Sequence, residues 1–412
     1  MNVSDAKDPL KNLKKMKAEV LSCVHCGQCR VATWPSKGIY RICPVYDTEC
    51  TPKFEPFFAR GKHLVMEGLL SGNLQLSKEI SDMMFQCTLC GACEDFCHNS
   101  HNPSINFANH QWMGHVKAFE AARADLVEAG YAIDAQAQMN AALAEKSNPY
   151  GQDNADKQAW AQKLEFKIKD ASKERAEVLY FAGCTSTLSR VTQNIAINTA
   201  KILNKLGVDF AVFLGREICC GSVALRTGDK KVFDAISQRN IDLFGERRIM
   251  KIVTSCAGCY RAFKKDYGTR LARVEILHTV EFFKQLIEKQ AIKLKKLKIT
   301  TTYHDPCHAG RHMGLYDDPR YILRKISDFT EMKAIREGAH CCGAGGGVKK
   351  GYPALALEMA KNRVNEAEDT GAKYLTSICP FCYRNLSEAI ETAHSKIKMV
   401  DLTELFLKVL EK

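Results

Sequence analysis

The sequence predicts a multidomain α+β / α/β protein, with a helical N-terminal domain built around cysteine loops and two duplicated α/β domains behind it. Three observations predict this. The 412 residues include 19 cysteines, and these fall in spaced clusters. From Val178 onward short apolar runs alternate with helix-period segments, the pattern of strands joined by helices. The cysteine pattern of residues 184–259 returns at 307–382 with offsets of 122–123 residues, which marks a duplication. The expected boundaries are 1–117 for the N-terminal domain, 118–175 for a helical connector, and 176–300 and 301–412 for the repeats.

Composition narrows the class. Hydrophobic residues make up 46% and charged residues 26%, as in soluble globular proteins. No window approaches 18 uncharged apolar residues, so no membrane span is expected. Lys7, Lys11, Lys14, Lys15 and Lys17 leave no room for a secretory apolar stretch, and a cytoplasmic location follows. Clustered cysteines in a reducing compartment read as metal ligands rather than disulfides. The net charge of +12 suits anionic substrates, acidic redox partners or a membrane surface. No nucleic-acid module is present, so no nucleic-acid partner is expected. The run Gly343-Ala344-Gly345-Gly346-Gly347 follows cysteines instead of a strand, so it is not a nucleotide loop. Without a flavin or dinucleotide site the chain must take its electrons from a partner.

Residues 1–22 form a lysine-rich amphipathic segment, with Leu10, Leu13, Met16, Val20 and Leu21 expected to pack on the first cluster region. Two cysteine groups follow. Cys23, Cys26 and Cys29 precede Cys43, and Cys87, Cys90 and Cys93 precede Cys97. Three cysteines at three-residue spacing plus a remote fourth is the two-cluster bacterial ferredoxin arrangement, in which the fourth cysteine serves the other cluster. By that rule Cys23, Cys26, Cys29 and Cys97 hold one cubane [4Fe-4S] cluster, and Cys87, Cys90, Cys93 and Cys43 hold the other. The insertion from Arg30 to Ile42 leaves either Cys43 or Cys50 as the fourth ligand. Zinc is disfavoured, since the repeated thiolates have no histidine partners. Phe57–Gln86 reads as helical with a turn at Ser71-Gly72-Asn73. The stretch from His98 to Glu177 reads as a helical connector broken at 148–151, with His101, His110 and His115 as packing or surface residues.

In the repeats, Cys184 matches Cys307, Cys219-Cys220 matches Cys341-Cys342, and Cys256 and Cys259 match Cys379 and Cys382. A vicinal pair cannot form an ordinary disulfide. Five cysteines per half exceed the needs of zinc or a cubane, so a larger or irregular cluster is expected, between two domains related by a pseudo-twofold axis. Helix N-termini after Cys259 and Cys382 would favour the thiolates, and the glycines after Cys342 would clear cluster sulfide and admit substrate. Of the 19 cysteines only Cys50 is left over, expected as a buried thiol.

This pattern resembles the CCG cysteine-rich domain. Two such domains behind a two-cluster ferredoxin region resemble the D-type iron–sulfur subunits of heterodisulfide reductases over about residues 20–412. The resemblance implies that each complete motif binds a noncubane [4Fe-4S] cluster, and that the two clusters face each other across a heterodisulfide such as CoM-S-S-CoB. It makes the ten repeat cysteines catalytic and implies an electron-donating subunit, a membrane b-type cytochrome or a flavoprotein, as partner. The alternative is the iron–sulfur electron-transfer subunit of a flavin-dependent glycolate/lactate or glycerol-3-phosphate dehydrogenase complex. His304, His308, His312 and His340 are candidates to supply protons or to bond cluster sulfur, and Arg261, Arg384, Arg311 and Lys349 to bind acidic substrate groups.

Overall fold

The computed structural model describes residues 8–34, 38–97 and 114–410. Lys7, His98, His101 and His110 lie outside them. The chain forms two compact units. One comprises residues 1–138, 223–230 and 343–359, the other 139–222, 231–342 and 360–412.

In the first unit a short 3-10 turn, Leu13–Met16, runs into α1 (Lys17–Leu21), and Leu13 and Val20 are fully buried. The insertion is an antiparallel hairpin of β1 (Val31–Trp34) and β2 (Gly38–Arg41). Ile42 N–H donates to Arg30 O at 2.8 Å, closing the hairpin at its base. The chain therefore resumes at Cys43 close to where it left Cys29. Then come α2 (Ala59–Leu70) and α3 (Lys78–Phe85), the latter capped by the Ser77 hydroxyl, which accepts from Ile80 N–H. The one-turn α4 (Ala92–Asp95) begins inside the second cysteine group, and α5 (His115–Glu128) follows. Phe58, Met66, Met84, Phe85, Phe119 and Leu126 form the core they share.

In the second unit, the first repeat contains β3 (Lys169–Asp170), β4 (Val178–Phe181), α6 (Gln193–Lys205), β5 (Phe210–Val212), α7 (Lys230–Glu246), β6 (Lys251–Thr254), α8 (Ala257–Arg261), β7 (Glu275–His278) and α9 (Thr279–Lys289). The second repeat contains β8 (Thr300–Tyr303), α10 (Asp317–Ile326), β9 (Asp328–Phe329), α11 (Pro353–Glu368), β10 (Tyr374–Ser377), α12 (Pro380–Thr392), β11 (Lys398–Asp401) and α13 (Leu402–Leu410). Both sheets are wholly parallel, in the orders β3-β5-β4-β6-β7 and β9-β8-β10-β11. Apart from the added edge strand β3 the two orders are the same. Strand β4 is buried along its whole length, as a sheet covered on both faces requires.

The repeats are related by a pseudo-twofold axis. Helix α6 packs on α13 while α9 packs on α10, an exchange of equivalent helices. Phe283 and Phe406, equivalent at the repeat period, stack on each other with centroids 5.2 Å apart. Residues that meet their own counterparts in this way lie on or near the axis.

Candidate metal centres

The two N-terminal cysteine loops share one backbone shape. His25 and Leu89 have φ of 54°, and Gly27 and Gly91 have φ of 79° and 80°. Two left-handed residues per loop turn successive cysteines to the same side, and a non-glycine residue held there points to a functional constraint. Leu89 N–H donates to Cys87 Sγ at 3.4 Å, the kind of contact that stabilises a thiolate. Cys43, Cys87, Cys90 and Cys93 line one cavity walled by Phe58, Leu89 and Phe119. Cys23 has Cys97 and Cys26 as electrostatic neighbours. Burial pushes Cys23 up to about 11 and Cys29 and Cys43 up to about 12. These thiols are neutral at pH 7 without metal, so metal ions must displace their protons. Soft sulfur donors in two groups of four, one around an apolar cavity, fit iron–sulfur clusters.

Two buried cations stand beside the Cys43 group. Lys62 lines its cavity, and its amine donates to Met83 O. Arg123 on α5 lies over the Phe85 ring and donates to four carbonyls: Met84 at 2.7 Å, Cys87 at 2.5 Å, Arg226 at 2.7 Å and Gly346 at 2.9 Å. Burial lowers Lys62 to about 8 and Arg123 to about 10, values that still leave both charged at pH 7. Positive charge here would suit an anionic cluster.

The glycine run also meets a packing requirement that its sequence does not suggest. A Cβ on Gly345 would meet Thr88 O at 2.9 Å, and one on Gly346 would meet Cys87 O at 2.6 Å. These glycines let the backbone after Cys342 lie against the second ferredoxin-type loop. Close packing of two backbones is a reason for these glycines beyond the sulfide clearance and substrate access expected of them.

In the second unit the repeat cysteines sit at the carboxyl ends of parallel strands. Cys184 follows β4 and Cys256 follows β6, the adjacent strands at which the order reverses; Cys307 and Cys379 follow β8 and β10 likewise. Such a switch point is where open α/β sheets bind ligands. The doublets arrive from beyond β5 and β9. Cys184 Sγ lies 3.7 Å from Cys219 Sγ, and Cys220 bonds both Cys219 and Cys259. In the second repeat Cys342 Sγ lies 3.4 Å from Cys382 Sγ. The equivalent thiols Cys256 and Cys379 hydrogen-bond to each other across the axis. Nine of the ten are buried and Cys256 is partly so. Helices α8 and α12 begin at Ala257 and Pro380, earlier than the expected starts after Cys259 and Cys382, which makes Cys256 and Cys379 their N-caps. A bond from Cys256, then one from Cys382, pulls Cys379 well below the usual thiol range. Two sets of five soft donors that touch at one point fit sulfur-bridged iron.

The remaining candidates are placed as follows. His304 is fully buried, and its Nδ1 accepts from Arg363 Nε at 3.1 Å. His308 Nε2 is 3.4 Å from Arg261 Nη1, and the His308 and His312 rings meet edge-on. His340 Nδ1 pairs with Glu366. Arg384 lies over the Tyr150 ring, whose hydroxyl donates to Thr185 Oγ1 at 3.1 Å, one residue beyond Cys184. Arg311 is committed to the carbonyls of Glu337 and Ala339, ahead of Cys341. Lys349 belongs to the first unit. Cys50, expected to be buried, is exposed; its N–H donates to Glu358 Oε2 at 3.0 Å, and that bond holds its turn outward. His115 is buried and bonded to His63.

Sequence reasoning missed Arg123, Lys62 and two asparagines. Asn240 Nδ2 donates to Cys219 O at 2.9 Å and Asn385 Nδ2 to Cys342 O at 2.6 Å, so each doublet is braced at a carbonyl. Arg123 had a signal, since it interrupts the apolar face of Val116, Phe119, Ala122 and Leu126.

Comparison with known proteins agrees with this geometry. Residues 178–264 and 301–387 match the cysteine-rich domain family (CCG), and residues 19–101 match the 4Fe-4S dicluster domain family. The chain is 34% identical to the D-type subunit of the dihydromethanophenazine:CoB–CoM heterodisulfide reductase of Methanosarcina barkeri, over 95% of this chain and 94% of that protein. It is 31% identical to FadF of Bacillus subtilis, over 82% of this chain and 47% of that one. It is 26% identical to the EtfAB:quinone oxidoreductase of Syntrophomonas wolfei, over 80% of this chain and 47% of that one. Among the described residues no helix is long and apolar enough to cross a membrane.

Proposed function

Because the chain belongs to the family of D-type heterodisulfide reductase subunits, which are iron–sulfur oxidoreductases, we propose that it carries electrons from two cubane [4Fe-4S] clusters to two noncubane [4Fe-4S] clusters that reduce a heterodisulfide. Cys23, Cys26, Cys29 and Cys97 hold one cubane, and Cys43, Cys87, Cys90 and Cys93 the other. Cys184, Cys219, Cys220, Cys256 and Cys259 hold one noncubane cluster; Cys307, Cys341, Cys342, Cys379 and Cys382 hold its counterpart. The observation that carries this reading is the contact of two complete five-cysteine sets at Cys256 and Cys379. A disulfide takes two electrons and two protons and yields two thiols. When bound, the clusters supply single electrons and iron sites with affinity for sulfur. The protein's own groups hold the two sets side by side and exclude water from them.

The domain division 1–117, 118–175, 176–300 and 301–412 goes with this proposal, as does a cytoplasmic protein that reaches a membrane only through a partner. That partner, a b-type cytochrome or flavoprotein subunit, delivers the electrons. The test is twofold. Iron and sulfide analysis is expected to give about 16 iron atoms per chain, four for each of four clusters. Adding a heterodisulfide to the reduced protein is expected to oxidise it with release of two thiols. Full iron without oxidation by any heterodisulfide, together with a co-purifying flavoprotein, would replace this reading with an electron relay.

A further inference from the structure

The two five-cysteine sets have different surroundings. Three residues before Cys307 stands His304, and three before Cys184 stands Phe181. A ring nitrogen of His304 and the sulfurs of Cys342 and Cys382 all lie within 4.8 Å of one another. His304 Nδ1 accepts the hydrogen bond from Arg363. A guanidinium can only donate, so Nδ1 keeps its lone pair and the proton of the neutral ring sits on Nε2. Nε2 is buried and has no hydrogen-bond partner among the described residues.

The ring is held in place from behind. Arg363 is fully buried and donates through Nη1 to Glu366 Oε2 at 2.6 Å, while the same carboxylate pairs with His340, the residue before Cys341. None of this recurs in the first repeat, where the positions of Arg363 and Glu366 are Asn240 and Leu243. A buried N–H without an acceptor is unfavourable, and the sulfurs of Cys342 and Cys382 are acceptors beside the ring. As a direct iron ligand the ring would have to lose its Nε2 proton while Arg363 still donates to Nδ1.

The geometry points to His304 Nε2–H as a hydrogen-bond donor to sulfur at the second five-cysteine set, which makes that set the one of higher reduction potential. This rests on the proposal that both sets hold clusters. An N–H···S bond stabilises added negative charge on sulfur and so favours the reduced state. Arg363 is the positioning residue, since it acts by fixing the tautomer. The phenyl ring of Phe181 offers the first set no such bond. Electrons reaching the sets therefore settle first beside His304, and the two sulfurs of a bound disulfide meet unlike partners.

The experiment uses the full-length, cluster-loaded protein. Its iron content tests the cluster proposal; His304→Phe and His304→Gln, each checked for unchanged iron, test the inference. Midpoint potentials are followed by EPR, with Cys342→Ser protein showing which signal belongs to the second set. His304→Phe is expected to lower that midpoint and leave the other in place, and His304→Gln, whose amide can donate, to recover part of the shift. Pulsed EPR on ¹⁵N-labelled protein is expected to show a weak nitrogen coupling that His304→Phe removes. Unmoved midpoints at full iron, loss of iron in both variants, or the strong coupling of a bound nitrogen would each overturn the inference.

Discussion

The two repeats solve the same fold with different interiors. Their strand order and cysteine placement coincide, and their axis passes by Phe283 and Phe406. Yet where the second repeat buries Asp305 against Arg320, with Nη1 and Nη2 bonds of 2.7 and 2.8 Å, the first has Ala182 and Ile197. Glu331 adds a further bond to Arg320 Nε at 2.8 Å. Where the first ends β7 with His278, the second ends β11 with Asp401. Topology fixes the cysteines, because the carboxyl ends of adjacent parallel strands are close whatever the side chains around them. The rest of each repeat is thereby free to diverge, provided its core stays filled and its polar groups stay bonded.

The largest way to break the comparison is to remove a ligand on one side only. Cys342→Ser and Cys220→Ser are each expected to reduce iron from about 16 to about 12 atoms per chain and to leave the ferredoxin-type signals intact. If either variant kept full iron and an unchanged spectrum, the five-ligand reading of that repeat would fail.

Next come the interiors. Arg320→Met strands Asp305 and Glu331, and breaking a buried ion pair from one side costs about 3–5 kcal/mol. The double variant Asp305→Ala with Arg320→Ile copies the first repeat and is expected to melt closer to the unaltered protein than the single one. A double variant that melted lower than Arg320→Met would show that the repeats need their own interiors. The glycines give a smaller contrast. Gly346→Ala drives a Cβ into Cys87 O, while Gly221→Ala meets only the side chains of Ile236 and Phe233 at 3.1–3.2 Å. Both also carry the strain of a positive φ. The first is expected to lower stability by about 1–3 kcal/mol more than the second, since backbone cannot yield as side chains can. Equal melting points would contradict the close backbone packing.

The smallest effect is a pH dependence of opposite sign in the two repeats. Burial lowers His278 to about 4 and raises Asp401 to about 7. The histidine's contribution is present above its unfolded value near 6.5 and is lost as pH falls towards 4. The aspartate's is present below its unfolded value near 3.8 and is lost as pH rises through about 7. Between pH 5 and pH 7, His278→Asn should therefore remove a gain in stability and Asp401→Asn a loss. Each is worth at most about 1.4 kcal/mol per pH unit. Melting temperatures at the two pH values check it; shifts of the same sign would refute it.

Much of this was legible in the residues. Strands β4 and β6, the repeat period and the dicluster region follow from short-range patterns: alternation, spacing and turn chemistry. What was not legible depends on contacts distant in sequence. Nothing near Gly346 announces that it faces Cys87, and Arg123 gathers carbonyls from residues 84, 87, 226 and 346. Cys50 was misjudged because free cysteines are usually buried; here Glu358, far along the chain, anchors its turn at the surface. The hairpin that returns the chain to Cys43 could have been suspected from Gly38 and the alternating residues around it.

Residues 343–359 belong to the same compact unit as the N-terminal 138, and Tyr352 reaches back to donate to Asp82 Oδ1 at 3.0 Å. A ribosome that has released only the first 140 residues has released a unit still missing part of its own interior. The segment that completes it is made more than 200 residues later, after most of the second unit. Contacts of such separation form slowly, and an unfinished core exposes apolar surface while it waits. The Cys87 loop, made early, thus gains the backing of Gly345 and Gly346 late, and its final packing waits on residues far downstream.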